Sequence, residues 1–158
     1  MKHIPYASAF SGPDAARNEI KKILRQFGCD SIGFTDNDAE HEVLLKFTYR
    51  GQPFEWRVSA KGWTQLYLNE NPWNERRRTA RQEYEQDALR QGHTAINSML
   101  RDLIKGQMTA IECGLVSFEA LFMPYMVTND GRTLGERLPE TKLLPEPTVL
   151  KVVSIQGR

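Results

Sequence analysis

The sequence predicts an α+β fold: an N-terminal helix, a three-stranded antiparallel meander, then a helical half with one long helix. Three observations carry this. Apolar residues recur at helical spacing before residue 28, at a spacing of two from 32 to 58, and at helical spacing again from 74 to 113. Glycine and proline fall at the joints between these stretches. The composition, 40% hydrophobic and 26% charged, is that of a globular domain able to bury a core.

The first helix lies in "SGPDAARNEIKKILRQFG". Pro13 suits the first helical turn and Asp14 favours the positive end of the dipole. Ile20, Ile23, Leu24 and Phe27 form one stripe, and Gly28 is a left-handed stop. The meander follows. Ile32 and Phe34 lead to a polar turn at Asp36 to Asp38, then Val43, Leu45, Phe47 and Tyr49 alternate. After a turn at Arg50 to Pro53, Phe54, Trp56 and Val58 share the apolar face, leaving Lys46, Thr48, Arg50, Glu55, Arg57 and Ser59 on the wet one.

A short helix in "AKGWTQLYLNEN" is expected to turn Trp63, Leu66 and Tyr67 inward and to end before Pro72. The long helix is expected from Asn74 to Cys113. Leu89, Ile96, Leu103 and Ala110 repeat every seven residues, as do Gly92, Met99, Gly106 and Cys113. Leu100, Ile104, Met108 and Ile111 widen this seam, so the helix is read as a core helix with Ile96 and Leu103 buried. Gly92 or Gly106 marks a candidate break. Gly114 stops the helix, Ser117 caps a short apolar one that ends at Pro124, and Asp130-Gly131 makes a turn. Residues 1–138 are read as one domain and 139–158 as a proline-rich extension, with "TVLKVVSI" a candidate edge strand.

The net charge is +1, so any grip on a polyanion must be a local patch. Two cysteines without a CxxC pair and three scattered histidines argue against zinc. Cys29 and Cys113 read as reduced, small core residues, and His93 as a surface or half-buried one. No cofactor motif is present. The start lacks a signal peptide's apolar run and no stretch is long and apolar enough to span a membrane, so a cytoplasmic chain with no membrane partner is expected.

Two groups of residues invite chemistry. Asp36, Asp38, Glu42 and Lys46 suggest a metal-dependent nuclease, but Glu42 and Lys46 stand four apart, further than the Glu-x-Lys arrangement of such enzymes. An enzyme is therefore not expected. The other group is "NPWNERRRTARQEYEQ". Arg76, Arg77, Arg78 and Arg81 crowd what reads as the first turns of a helix, where the dipole disfavours cations. Intrahelical pairs such as Arg81 with Glu85 recover only about 0.2 to 0.5 kcal/mol each. The placement suits an anion-facing patch, with Trp73 offering a flat surface for a base and Lys46, Arg50 and Arg57 of the meander adding positive charge. Helix, meander, helix over residues 13 to 71 is also the order of double-stranded-RNA binding domains, although "SAKGWTQ" offers only Lys61 where they carry a lysine-rich helix start.

"GQMTAIECGLVSFEALFMPYMVTNDGRTLGERL", taken with "NPWNERRRTARQEYEQDALRQGHTAINSMLRD", resembles small proteins encoded by bacteriophages and prophages, over residues 60 to 138. That resemblance carries no catalytic motif. It implies a host-cell cytoplasmic setting in which the partner is nucleic acid or an acidic host protein. The expected function is non-enzymatic binding through the arginines. The alternatives are the nuclease and an assembly protein that forms a homodimer through its long helix.

Overall fold

The computed structural model describes residues 3–9 and 12–146. The expected "TVLKVVSI" strand lies outside them. The order is α1 (Pro13–Phe27), β1 (Asp30–Asn37), β2 (Glu42–Tyr49), β3 (Gln52–Ser59), α2 (Lys61–Glu70), α3 (Arg81–Glu112), α4 (Phe118–Phe122) and α5 (Leu134–Arg137), with 3-10 turns at Met123–Tyr125 and Leu138–Glu140. The α+β class, the meander and the long helix stand as expected.

The strands form one antiparallel sheet in the order β1-β2-β3. Cross-strand partners share a face. Leu45 opposite Trp56 and Phe47 opposite Phe54 set the inner face, and Ile20 and Leu24 of α1 with Leu100, Ile104 and Met108 of α3 cover it. The β2–β3 turn is tighter than expected. Arg50 and Gly51, at φ 50° and 76°, form the two-residue loop, and Pro53 already belongs to β3. Near Pro53 the edge of β3 is covered, because Val127 N–H donates to the Pro53 carbonyl at 2.9 Å.

α3 runs unbroken through Gly92 and Gly106. At Gly92 a Cβ would stand 2.5 Å from Thr64 Oγ1, so that glycine lets α2 approach closely, whereas Gly106 faces open space. The buried stripe is Tyr84, Ala88, Gly92, Ile96, Leu100, Ile104 and Met108, a strict spacing of four. Each such step advances the stripe by about 40° around the helix. At Gly92 and Ile96 it therefore faces Ala60 and Trp63 at the head of α2, and its end faces α1 and the sheet.

This winding overturns the heptad seam. Seven residues fall about 20° short of two full turns. The two patterns coincide at Ile96, which is 6% exposed, and have parted by Leu103, which is 50% exposed. Leu103 is not a core residue. Cys113 and Leu66 are likewise exposed rather than buried. In α2 Trp63 and Thr64 are buried, and Tyr67, half-buried, packs against the same cluster as expected. Cys29 is buried as expected, and burial pushes its thiol up to about 11. Ser117 caps α4 by accepting from Ala120 N–H, and Gly28, Gly114 and Gly131 all adopt positive φ.

Candidate nucleic-acid interface and the polar cleft

α3 begins at Arg81 and not at Asn74. Arg76, Arg77 and Arg78 therefore lie in the loop before it, and of the four arginines only Arg81 is helical. The local reason is a set of hydrogen bonds that closes the loop. Asn74 Oδ1 accepts from Arg76 N–H at 3.2 Å and the Asn74 carbonyl accepts from Arg77 N–H at 3.0 Å. Trp73 Nε1 donates to the Thr79 carbonyl at 2.9 Å, and Tyr84 Oη donates to the Asn71 carbonyl at 2.6 Å. An asparagine that captures backbone donors competes with helix, which the periodicity alone did not register.

Inside this loop the arginines differ. The Arg77 guanidinium lies 4.3 Å from the Tyr84 ring centre, and its Nε is buried without a hydrogen-bond partner. Arg81 Nε pairs with Glu85 Oε1 at 2.8 Å, as its spacing suggests. Arg76 and Arg78 are exposed, and neither makes a side-chain hydrogen bond or ion pair among the described residues. Their loop still precedes the positive end of α3, whose N-cap residue, Ala80, supplies no side-chain oxygen. Beside the loop is an open cleft of about 470 Å³ between α2 and α3, walled by Gln65, Leu68, Asn69, Pro72, Trp73, Arg81 and Glu85.

None of the meander's basic residues lines the cleft beside the loop. Lys46 and Arg57 stand on the outer sheet face. Lys46 Nζ is 3.5 Å from Glu55 Oε2, and Arg57 is 3.3 Å from Glu55 and 4.0 Å from Glu42. Arg50 lies over the Tyr49 ring at 5.0 Å, by an apolar groove shared with Phe118 and Met126. Phe118 and Met126 follow α3 in the chain, whereas the arginine loop precedes it. Lys61, the one lysine at the start of α2, is held by Glu40 at 2.6 Å.

A second polar site escaped the sequence pattern. Between α1, β1 and the middle of α3 is a cleft of about 500 Å³ lined by Arg17, Asp36, Asp38, His93 and Asn97 among others. Arg17 grips Asp36 with both terminal nitrogens, at 2.9 and 2.5 Å, while its Nε donates to Asn97 Oδ1 at 2.9 Å. Asn97 is fully buried, and its amide nitrogen donates to the His93 carbonyl at 2.8 Å. The Arg17 hydrogen bonds hold the Asp36 carboxyl below the usual carboxylate range. Burial lowers the pKa of His93, and His41, whose ring lies 6.0 Å away edge-on, lowers it further against the pull of Asp36 and Asp38. The site thus combines a closed ion pair with an imidazole whose proton affinity is lowered. The signals were Arg17 on the stripe of Ile20 and Leu24, and Asn97 amid the apolar run of α3.

The four residues of the nuclease alternative are divided. Asp36 lies opposite Val43 and shares its inward face, where Arg17 takes it. Glu42 and Lys46 point outward to Arg57 and Glu55. Among the described residues no three His, Cys, Asp or Glu side chains are grouped to hold a metal ion, and no helix is long and apolar enough to cross a membrane. No family model, curated protein or solved structure matches the chain.

Proposed function

We propose that this chain is a non-enzymatic binding protein of a bacteriophage or prophage, acting in the host cytoplasm and gripping nucleic acid through its arginine loop. One observation carries the reading: Arg76 and Arg78 stand exposed, with no side-chain partner among the described residues, on a loop whose shape is fixed by four hydrogen bonds. Ordering a loop costs conformational entropy, and this one spends its hydrogen bonds on presenting cations beside a helix end that is already positive. Phosphate oxygens complement that field, and arginine meets them with two parallel N–H donors. Trp73 on the same loop favours nucleic acid over an acidic protein. The separate anchoring of Asp36, Glu42 and Lys46 favours binding over hydrolysis.

The reading is tested by affinity capture from a bacterial lysate, with and without nuclease treatment. Nucleic acid should co-elute with the parent chain and not with the Arg76→Gln, Arg78→Gln, Arg81→Gln variant. Capture of one acidic protein, unaffected by nuclease and abolished in the variant, would instead assign the loop to a protein partner.

A further inference from the structure

We propose that the cleft beside the arginine loop receives a single unstacked nucleobase, so that the polymer held by the loop is single-stranded. This rests on the nucleic-acid reading above and adds the form of the ligand.

The cleft is open and holds about 470 Å³, ample for one base and its sugar. One wall is Trp73, whose indole N–H is tied to the Thr79 carbonyl at 2.9 Å, so the ring is held against the loop. Trp56 and Trp63 are buried at 6% and 7% exposure, whereas Trp73 is half-buried. It is the tryptophan that can lend a face to a ligand. Stacking of a base on such a ring is worth about 1 to 3 kcal/mol and tolerates any base.

The α2 side of the cleft supplies polar recognition. Gln65 Nε2 donates to Asn69 Oδ1 at 2.8 Å, one helical turn along α2. A paired amide of this kind leaves one carbonyl oxygen and one NH2 group unused, whichever partner donates. Those unused groups match the adjacent donor and acceptor on a nucleobase edge. In a duplex the ring faces are covered by neighbours, so only an unstacked base can use Trp73 and this amide pair together. Arg81 also lines the cleft, with Glu85 as its counter-ion. Arg76 and Arg78 belong to the same closed loop as Trp73 and are the exposed cations that would meet the strand's phosphates.

The test uses oligo(dA) single strands and the same strands annealed to oligo(dT). The single strand should bind the folded protein more tightly than the duplex and quench tryptophan fluorescence. Trp73→Leu should weaken single-strand binding by about tenfold while leaving its salt dependence unchanged, because stacking and phosphate contacts are separate contributions. Trp73→Phe keeps a ring and should keep most of the affinity, which separates stacking from damage to the loop. If the single strand binds without quenching, or Trp73→Leu binds it as tightly as the parent, the base pocket is wrong although the arginine reading stands. If neither form binds, the arginine reading fails and takes the pocket with it.

Discussion

The arginine loop and the Arg17 cleft are both crowded with charge, and they close in opposite ways. Arg17 spends all three of its guanidinium nitrogens inside the chain, on Asp36 and on buried Asn97. Its side chain is 15% exposed. The loop holds Arg77 against an aromatic ring and leaves Arg76 and Arg78 to solvent. A cation whose donors are all satisfied internally is part of the fold. A cation held in place with its donors free is available to something else. Position shows the difference and composition does not, because both regions read in sequence as arginine near acid.

Both regions hang on α3, so the largest effects come from its anchoring. Leu100→Ala, at a site 1% exposed, should destabilise by about 2 to 5 kcal/mol. Leu103→Ala, at a half-exposed site, should stay within about 0.5 kcal/mol. Urea denaturation of the two variants checks this. Equal destabilisation would mean that the helix is rotated from the position described, and the two regions with it.

Next in size is the cleft. Arg17→Ala leaves the Asn97 carbonyl oxygen buried without its donor, which should cost about 1 to 3 kcal/mol. An unchanged melting temperature would show that Arg17 is as dispensable to the fold as the loop arginines, and would break the contrast.

A smaller effect separates the regions by pH. The folded pKa of His93 lies below the ordinary 6.5, so on acidification the unfolded chain binds the proton first. The stability this contributes is complete above the unfolded value and is lost as the pH falls below 6.5 and through the folded value. Asp36 is also depressed, from 3.8, and its contribution disappears only in stronger acid. His93→Gln should flatten the thermal-stability profile in the upper window and leave the lower one in place. A profile unchanged by His93→Gln would remove the histidine from the cleft's energetics.

Much of the fold was legible because it rests on periodicity. Leu45, Phe47, Phe54 and Trp56 alternate, and α1 carries its own start and stop. The failures share a cause. The heptad through Leu103 is a pattern along one helix, but which face is buried depends on what packs against it, and α3 changes partners along its length. Likewise the start of α3 is set by Asn74 and Trp73 closing a loop, a local hydrogen-bond competition that apolar spacing does not contain. Of the candidate site, the sequence marked the arginines and Trp73 but not their division of labour. It missed Arg17 and Asn97, and read His93 as a surface or half-buried residue without its cleft, because their meaning lies in contacts between residues up to 80 apart.

The most direct measurement is the salt dependence of single-strand binding by the parent and by the Arg76→Gln, Arg78→Gln, Arg81→Gln variant. Arg77 is left intact because its stacking on Tyr84 is structural. The variant should melt with the parent, since exposed charges contribute about 0 to 1 kcal/mol each. Its affinity should fall, and the slope of log affinity against log salt should shrink by about 0.7 for each phosphate that the variant no longer neutralises. A variant that folds normally and binds with the parent's affinity and slope would contradict the account, and the loop would then be only a solvated connection between two helices.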